Sequence, residues 1–208
     1  MSSMTAQNID TTASPAAKPA GLIDPTVYRY IPEGSGGTYT FTPQTSPYIG
    51  TAKCQTCVGV YFAIDDNKCF AAHINVETEG RDGRHHYVVN KKTAAFITSE
   101  IVRRLNQEQQ ASHWGPVSTR MRTSLIMVCP KLEMGFSDMV GSAVANGVRE
   151  WLQLANMQRP RTVGAFIVQH PAGVAQTFDL EASNLSWRKE EEAENNAWSM
   201  LIGRVEQD

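Results

Sequence analysis

Cys57 opens an apolar run that continues through Val58, Gly59, Val60, Tyr61, Phe62, Ala63 and Ile64. The polar stretch Asp65-Asp66-Asn67-Lys68 follows, and a second apolar run then carries His73. A thiol and an imidazole on neighbouring strands supply a nucleophile and its base. In that chemistry the sulfur attacks an amide carbonyl, the histidine takes the thiol proton, and the same proton later leaves with ammonia. Backbone N–H groups beside the nucleophile hold the oxyanion. A third group orients the imidazole, and Thr51, just upstream, offers a hydroxyl or a carbonyl for that role.

Two other readings use the same residues. Cys54-x2-Cys57 followed by Cys69-x3-His73 places three thiols and an imidazole close together in sequence, the donor set of a tetrahedral Cys3His zinc site. Such a site would stabilise an interaction module. Free cysteines also pack as small hydrophobes, so Cys57 and His73 could be core residues of an inactive relative.

These residues need two strands to position them. Along 57–64, Val58, Val60, Phe62 and Ile64 alternate with Cys57, Gly59, Tyr61 and Ala63, and both faces are largely apolar, as in a buried strand. The returning strand, 69–77, puts Phe70, Ala72, Ile74 and Val76 on one face and Cys69, Ala71, His73 and Asn75 on the other. A regular hairpin turning at Asp66-Asn67 sets Cys57 opposite position 76. That leaves a gap of about 10 Å to His73, which calls for a bulge or a bend.

Further elements follow from periodicity and punctuation. Tyr28, Tyr30 and Ile31 give a first anchor, and Thr38–Thr42 reads as a short strand. Gly80–His86 reads as a polar loop carrying His85 and His86, and Tyr87–Val89 as a further strand. A helix begins near Thr93 with Ala94, Ile97, Ile101 and Leu105 as its stripe, and a loop covers 107–117. Thr123–Cys129 is a strand. Ser137 caps a second helix lined by Val140, Val144, Val148, Trp151, Leu152 and Ala155, long enough for a parallel crossover, although a mixed sheet fits as well. Thr162–Gln169 and Val174–Leu180 flank the turn His170-Pro171-Ala172-Gly173 as a hairpin. The expected fold class is α/β or α+β: a layered sandwich with a strand-rich core and helices on the outer faces. Residues 1–21, rich in Ser, Thr, Ala and Pro, read as a disordered arm, residues 22–180 as the domain, and 181–208 as a charged tail. In the tail Trp198, Leu201, Ile202 and Val205 suggest an amphipathic helix.

The chain has 208 residues, 41% of them hydrophobic, and a formal charge of -2, which suits one globular domain and gives no electrostatic pull toward nucleic acid or an anionic membrane. No segment offers the roughly 20 apolar residues of a membrane span, and no basic start with an apolar stretch marks export. A soluble protein of the reducing cytoplasm is expected, with Cys54, Cys57, Cys69 and Cys129 unpaired by disulfides.

The string Thr51-Ala52-Lys53-Cys54-Gln55-Thr56-Cys57-Val58-Gly59-Val60 resembles the active-site segment of the bacterial chemotaxis receptor deamidases, the CheD family, which groups with the cytotoxic necrotizing factor toxins as Cys–His glutamine deamidases. In that family a Thr precedes a Cys-Val-Gly-Val or similar string and the His lies on the next strand. His73 stands at nearly the matching distance, and the likeness covers roughly residues 45 to 180. The resemblance implies a CheD-like sandwich and hydrolysis of an exposed glutamine side chain on a protein substrate. It implies Cys57 as nucleophile, His73 as base and Thr51 as its orienting partner, with no cofactor. Two departures stand out. Lys53-Cys54-Gln55 replaces a Gly-rich approach to the nucleophile, and Cys69-Phe70-Ala71-Ala72 replaces the glycines usual before the His.

Overall fold

The computed structural model describes residues 27–79, 85–86, 89–130, 139–154, 160–178 and 188–202. The fold is an α+β sandwich built from two sheets and, among the described residues, three helices. The expected arm at 1–21, the helix cap at Ser137 and the residues Tyr87, Val88, Ala155 and Val205 lie outside the described residues.

The central hairpin is β4 (Val58–Ala63) and β5 (Lys68–Glu79), paired antiparallel. β4 is buried throughout, as its two apolar faces require. Its partners on the far side are β7 (Ile126–Val128) and, across β5, β2 (Gly36–Thr40) and β11 (Ser199–Ile202). The two-residue strand β6 (His85–His86), within the stretch expected to be a loop, pairs with the end of β5. The second sheet runs β10 (Arg188–Glu191), β1 (Val27–Tyr30), β3 (Tyr48–Thr51), β8 (Ala165–Gln169), β9 (Val174–Phe178).

Alternation along β4 and β5 creates two apolar interfaces. Val58, Val60, Phe62, Phe70, Ala72 and Ile74 face the helices α1 (Lys91–Ala111) and α3 (Val140–Trp151), contributing to a core that includes Ile97, Ile101, Leu105, Val144 and Val148. Tyr61, Ala63, Cys69 and Ala71 face the second sheet, where Ile49, Phe166 and Val168 meet them. The layers are therefore sheet, sheet, helices. α1 starts two residues before Thr93, with Asn90 as its cap accepting the Thr93 N–H at 2.8 Å. It continues to Ala111, into the stretch expected to be a loop. A short helix, α2 (Thr119–Thr123), ends on the first residue of the strand expected at 123–129, which forms over Ile126–Val128.

Of the two connections open to α3, the parallel crossover is not made: the helix carries the chain from β7 in one sheet to β8 in the other, and both sheets are mixed. One expectation fails on topology. Among its described residues the charged tail forms strands in place of the expected amphipathic helix. Arg188–Glu191 and Ser199–Ile202 are strands, pairing parallel with β1 and β5 respectively. Strand partners were available along both exposed edges, so main-chain pairing prevailed over the helical spacing of Trp198, Leu201 and Ile202. No helix among the described residues is long and apolar enough to cross a membrane.

Candidate active site

The hairpin register decides which side chains meet. Val58 pairs with Ile74 and Gly59 with His73, so continuation of the ladder sets Cys57 opposite Asn75, not position 76. The loop is centred on Asp66, with the N–H groups of Ile64 and Asp65 both donating to the Lys68 carbonyl. One residue of register moves a side chain to the other face. The observed register puts Cys57, His73 and Asn75 on one face, directed between the sheets. No bulge is needed. Cys57 and His73 are diagonal neighbours, and the residue opposite His73 is Gly59, which puts no side chain of its own between them.

A ring nitrogen of His73, the Cys57 sulfur and a Glu33 carboxylate oxygen lie within 4.8 Å of one another. The expected site residues Cys57, His73 and Thr51 thus come together in one place, all buried. Thr51 ends β3, and its hydroxyl lies 2.8 Å from His73 Nδ1 and 2.9 Å from the Ile31 carbonyl. A carbonyl can only accept, so the hydroxyl proton goes to Ile31. The hydroxyl oxygen then accepts from Nδ1–H. This chain fixes the tautomer: Nδ1 carries the proton and Nε2 carries the free lone pair. Nε2 is buried and has no hydrogen-bond partner among the described residues. Thr51 meets His73 through its hydroxyl, not its carbonyl.

The single S–H of Cys57 has two acceptors in reach, Glu33 Oε1 and Asn75 Oδ1, each 3.5 Å from the sulfur, and Thr56 Oγ1 lies 4.0 Å away. Burial raises the thiol pKa, and the Glu33 carboxylate adds to it, to about 12. Burial lowers that of His73 to about 4. Near neutral pH the pair rests as thiol and neutral imidazole, so proton transfer must accompany attack. Among the described residues, no backbone carbonyl accepts from the N–H groups of Gln55, Thr56 or Cys57. The loop that presents them turns at Lys53, whose φ of 64° is a left-handed conformation that favours glycine.

Glu33 and Asn75 are the site residues that sequence reasoning missed. Asn75 shares the His73 face by simple alternation and could have been found that way. Glu33 arrives from a distant loop: Gly34 N–H donates to the His73 carbonyl at 2.8 Å, and His73 N–H donates to the Ser35 carbonyl at 2.9 Å. Nothing in its local sequence marks it.

The Cys3His set does not assemble. Cys69 pairs with Ala63, four residues along β5 from His73, or about 13 Å at the usual rise. Cys69 and Cys54 are fully buried in the core between the sheets, and neither belongs to the cluster with Cys57. Cys129 lies in the core on the helix side. These three cysteines pack as small hydrophobes. Comparison of the chain with protein-family models, with curated proteins and with solved structures gives no match.

Proposed function

We propose that this protein is a thiol amidohydrolase that deamidates glutamine side chains of a protein substrate, with Cys57 as nucleophile, His73 as base and Thr51 as the residue that orients His73. The observations that carry the reading are the chain Ile31 carbonyl, Thr51 hydroxyl, His73 Nδ1, which leaves Nε2 bare, and the gathering of a His73 ring nitrogen with the Cys57 sulfur in one cluster. The resemblance of residues 51–60 to the CheD segment supports the same roles.

In the proposed reaction Nε2 takes the Cys57 proton as the sulfur bonds to the carboxamide carbon. The carbonyl oxygen becomes an oxyanion held by backbone N–H groups at 55–57. Collapse breaks the C–N bond, and His73 returns its proton to the departing nitrogen as ammonia. Water, deprotonated by His73, then attacks the thioester, and the thiol leaves with a proton. The sum is carboxamide plus water to carboxylic acid plus ammonia. No external oxidant, reductant or metal enters this balance.

A library of peptides with one glutamine each, read by ammonia release and by mass spectrometry of the product, tests the activity. Wild type is expected to convert members of the library, and Cys57→Ser to lose about 10³-fold or more. Thr51→Val is expected to lower kcat about 10²-fold through misorientation of the imidazole, with Thr51→Ser restoring most of it. A parallel set carries a diazoketone in place of the carboxamide and should alkylate Cys57. Turnover that survives Cys57→Ser overturns the mechanism. So does the lack of both turnover and a Cys57 adduct across the two sets.

A further inference from the structure

Glu33, Cys57 and His73 offer a carboxylate, a thiol and an imidazole from three separate segments, with one donor atom of each within 4.8 Å of the others. A tetrahedral Zn2+ with bonds of about 2.0–2.3 Å needs its donors about 3.3–3.7 Å apart, so a contraction of about 1 Å closes the set. Glu33 is exposed, and its side chain is free to supply that movement. Three further observations point the cluster at a metal. His73 Nε2 is a buried lone pair with no hydrogen-bond donor among the described residues. Its other nitrogen is already engaged, through Thr51 to the Ile31 carbonyl, which is the outer support that metal-bound imidazoles use. Asn75 Oδ1, at 3.5 Å from the Cys57 sulfur, holds the third donor from the side.

We propose that Glu33, Cys57 and His73 form a Zn2+ site that withdraws the nucleophile and its base together. Binding exchanges the thiol proton for metal: Zn2+ joins the Cys57 sulfur, a His73 nitrogen and a Glu33 oxygen, and one proton is released to solvent. Three protein donors leave the fourth position to water. The thiolate and imidazole select zinc over magnesium or calcium, which take oxygen donors. The metal site stands on the geometry alone. Its role as an off switch rests on the hydrolase reading above.

The test uses the full chain with the metals themselves. Co2+ is titrated into the chelator-treated protein and the thiolate-to-cobalt charge-transfer band is followed. Zn2+ is then added to displace it, and site-resolved alkylation of Cys57 is timed with and without one equivalent of Zn2+. One cobalt per chain is expected, and Zn2+ should slow Cys57 alkylation about 100-fold, with chelator restoring the rate. Cys57→Ser should abolish the band although Cys54, Cys69 and Cys129 remain. Glu33→Gln, a surface change that leaves the core intact, should weaken zinc at least about tenfold. A band that persists in Cys57→Ser, or Zn2+ affinity unchanged by both Glu33→Gln and His73→Gln, overturns the site. Where peptide deamidation is measured, zinc should inhibit the chelator-treated enzyme with the midpoint at which it displaces cobalt. Metal binding without inhibition would overturn the switch, and failure of the chelator-treated protein to turn over would bear on the hydrolase reading alone.

Discussion

His73 shows how one side chain couples chemistry to stability. Burial holds its pKa at about 4, below the free value of 6.5, so the folded imidazole stays neutral where an unfolded one would charge. The unfolded chain therefore binds more protons between these values, and stability must fall as pH drops through that window. Above about pH 6.5 both states are neutral and the effect vanishes. Across the full window the loss attributable to this residue is about 3 kcal/mol. Denaturant unfolding of wild type and His73→Gln at pH 7 and pH 4 checks it. The variant should lose about 3 kcal/mol less on acidification, and equal losses would show that His73 is not buried neutral. The same burial keeps the imidazole neutral well into the acid range.

At the level of elements, the hairpin β4–β5 is where the sequence is most readable and where one detail matters most. Strict alternation of Val58, Val60, Phe62 against Cys57, Gly59, Tyr61 assigned both faces, and the core residues follow that assignment. The loop centre could not be read, because Asp65, Asp66, Asn67 and Lys68 all suit a turn. That one residue of uncertainty is the difference between a thiol stranded from its base and a diagonal pair. β3, β10 and β11 were not legible for another reason. They pair parallel or through long separations, and strands such as Arg188–Glu191 carry no apolar alternation. Gly59 is the element-level test. A Cβ there would meet Val128 Cγ2 at 2.8 Å, and Phe166 Cε1 and Thr51 Cγ2 each at 3.0 Å. Gly59→Ala should therefore cost about 1–3 kcal/mol of stability through overpacking between the sheets. It should also displace Thr51 from His73, so activity should fall more than the stability loss explains. Thermal unfolding alongside turnover at a temperature where the variant is fully folded separates the two effects. A variant of normal stability and activity would mean that the sheets are less tightly apposed at this point than the distances state.

For the whole molecule, the chain's last described segment clamps its first. Trp198 N–H donates to the Gly34 carbonyl at 2.8 Å, and the Trp198 carbonyl accepts from Asn75 N–H at 3.0 Å. Asn195 accepts from Gly36 N–H and donates to the Gly36 carbonyl, while Arg104 on α1 donates to the Ala197 carbonyl at 2.6 Å. The segment that carries Glu33 is therefore gripped by β5 on one side and by residues 195–198 on the other. The Trp198 ring is the anchor: it is 2% exposed and meets Phe70 edge-on at 5.0 Å between centroids, beside Trp114 and Phe62. Trp198→Ala should cost about 3–5 kcal/mol, the usual range for emptying a buried indole site. Leu201, on the same strand but 63% exposed, should tolerate Ala within about 0.5 kcal/mol. Because the loosened segment holds Glu33 against Cys57, hydrogen exchange at the Gly34 and Asn75 amides should quicken in Trp198→Ala and stay unchanged in Leu201→Ala. Paired denaturation and exchange measurements decide the matter. Equal costs for the two substitutions, or exchange at Gly34 and Asn75 indifferent to Trp198, would mean that the tail merely borders the site, and the site's geometry would then have to be held by the hairpin and β3 alone.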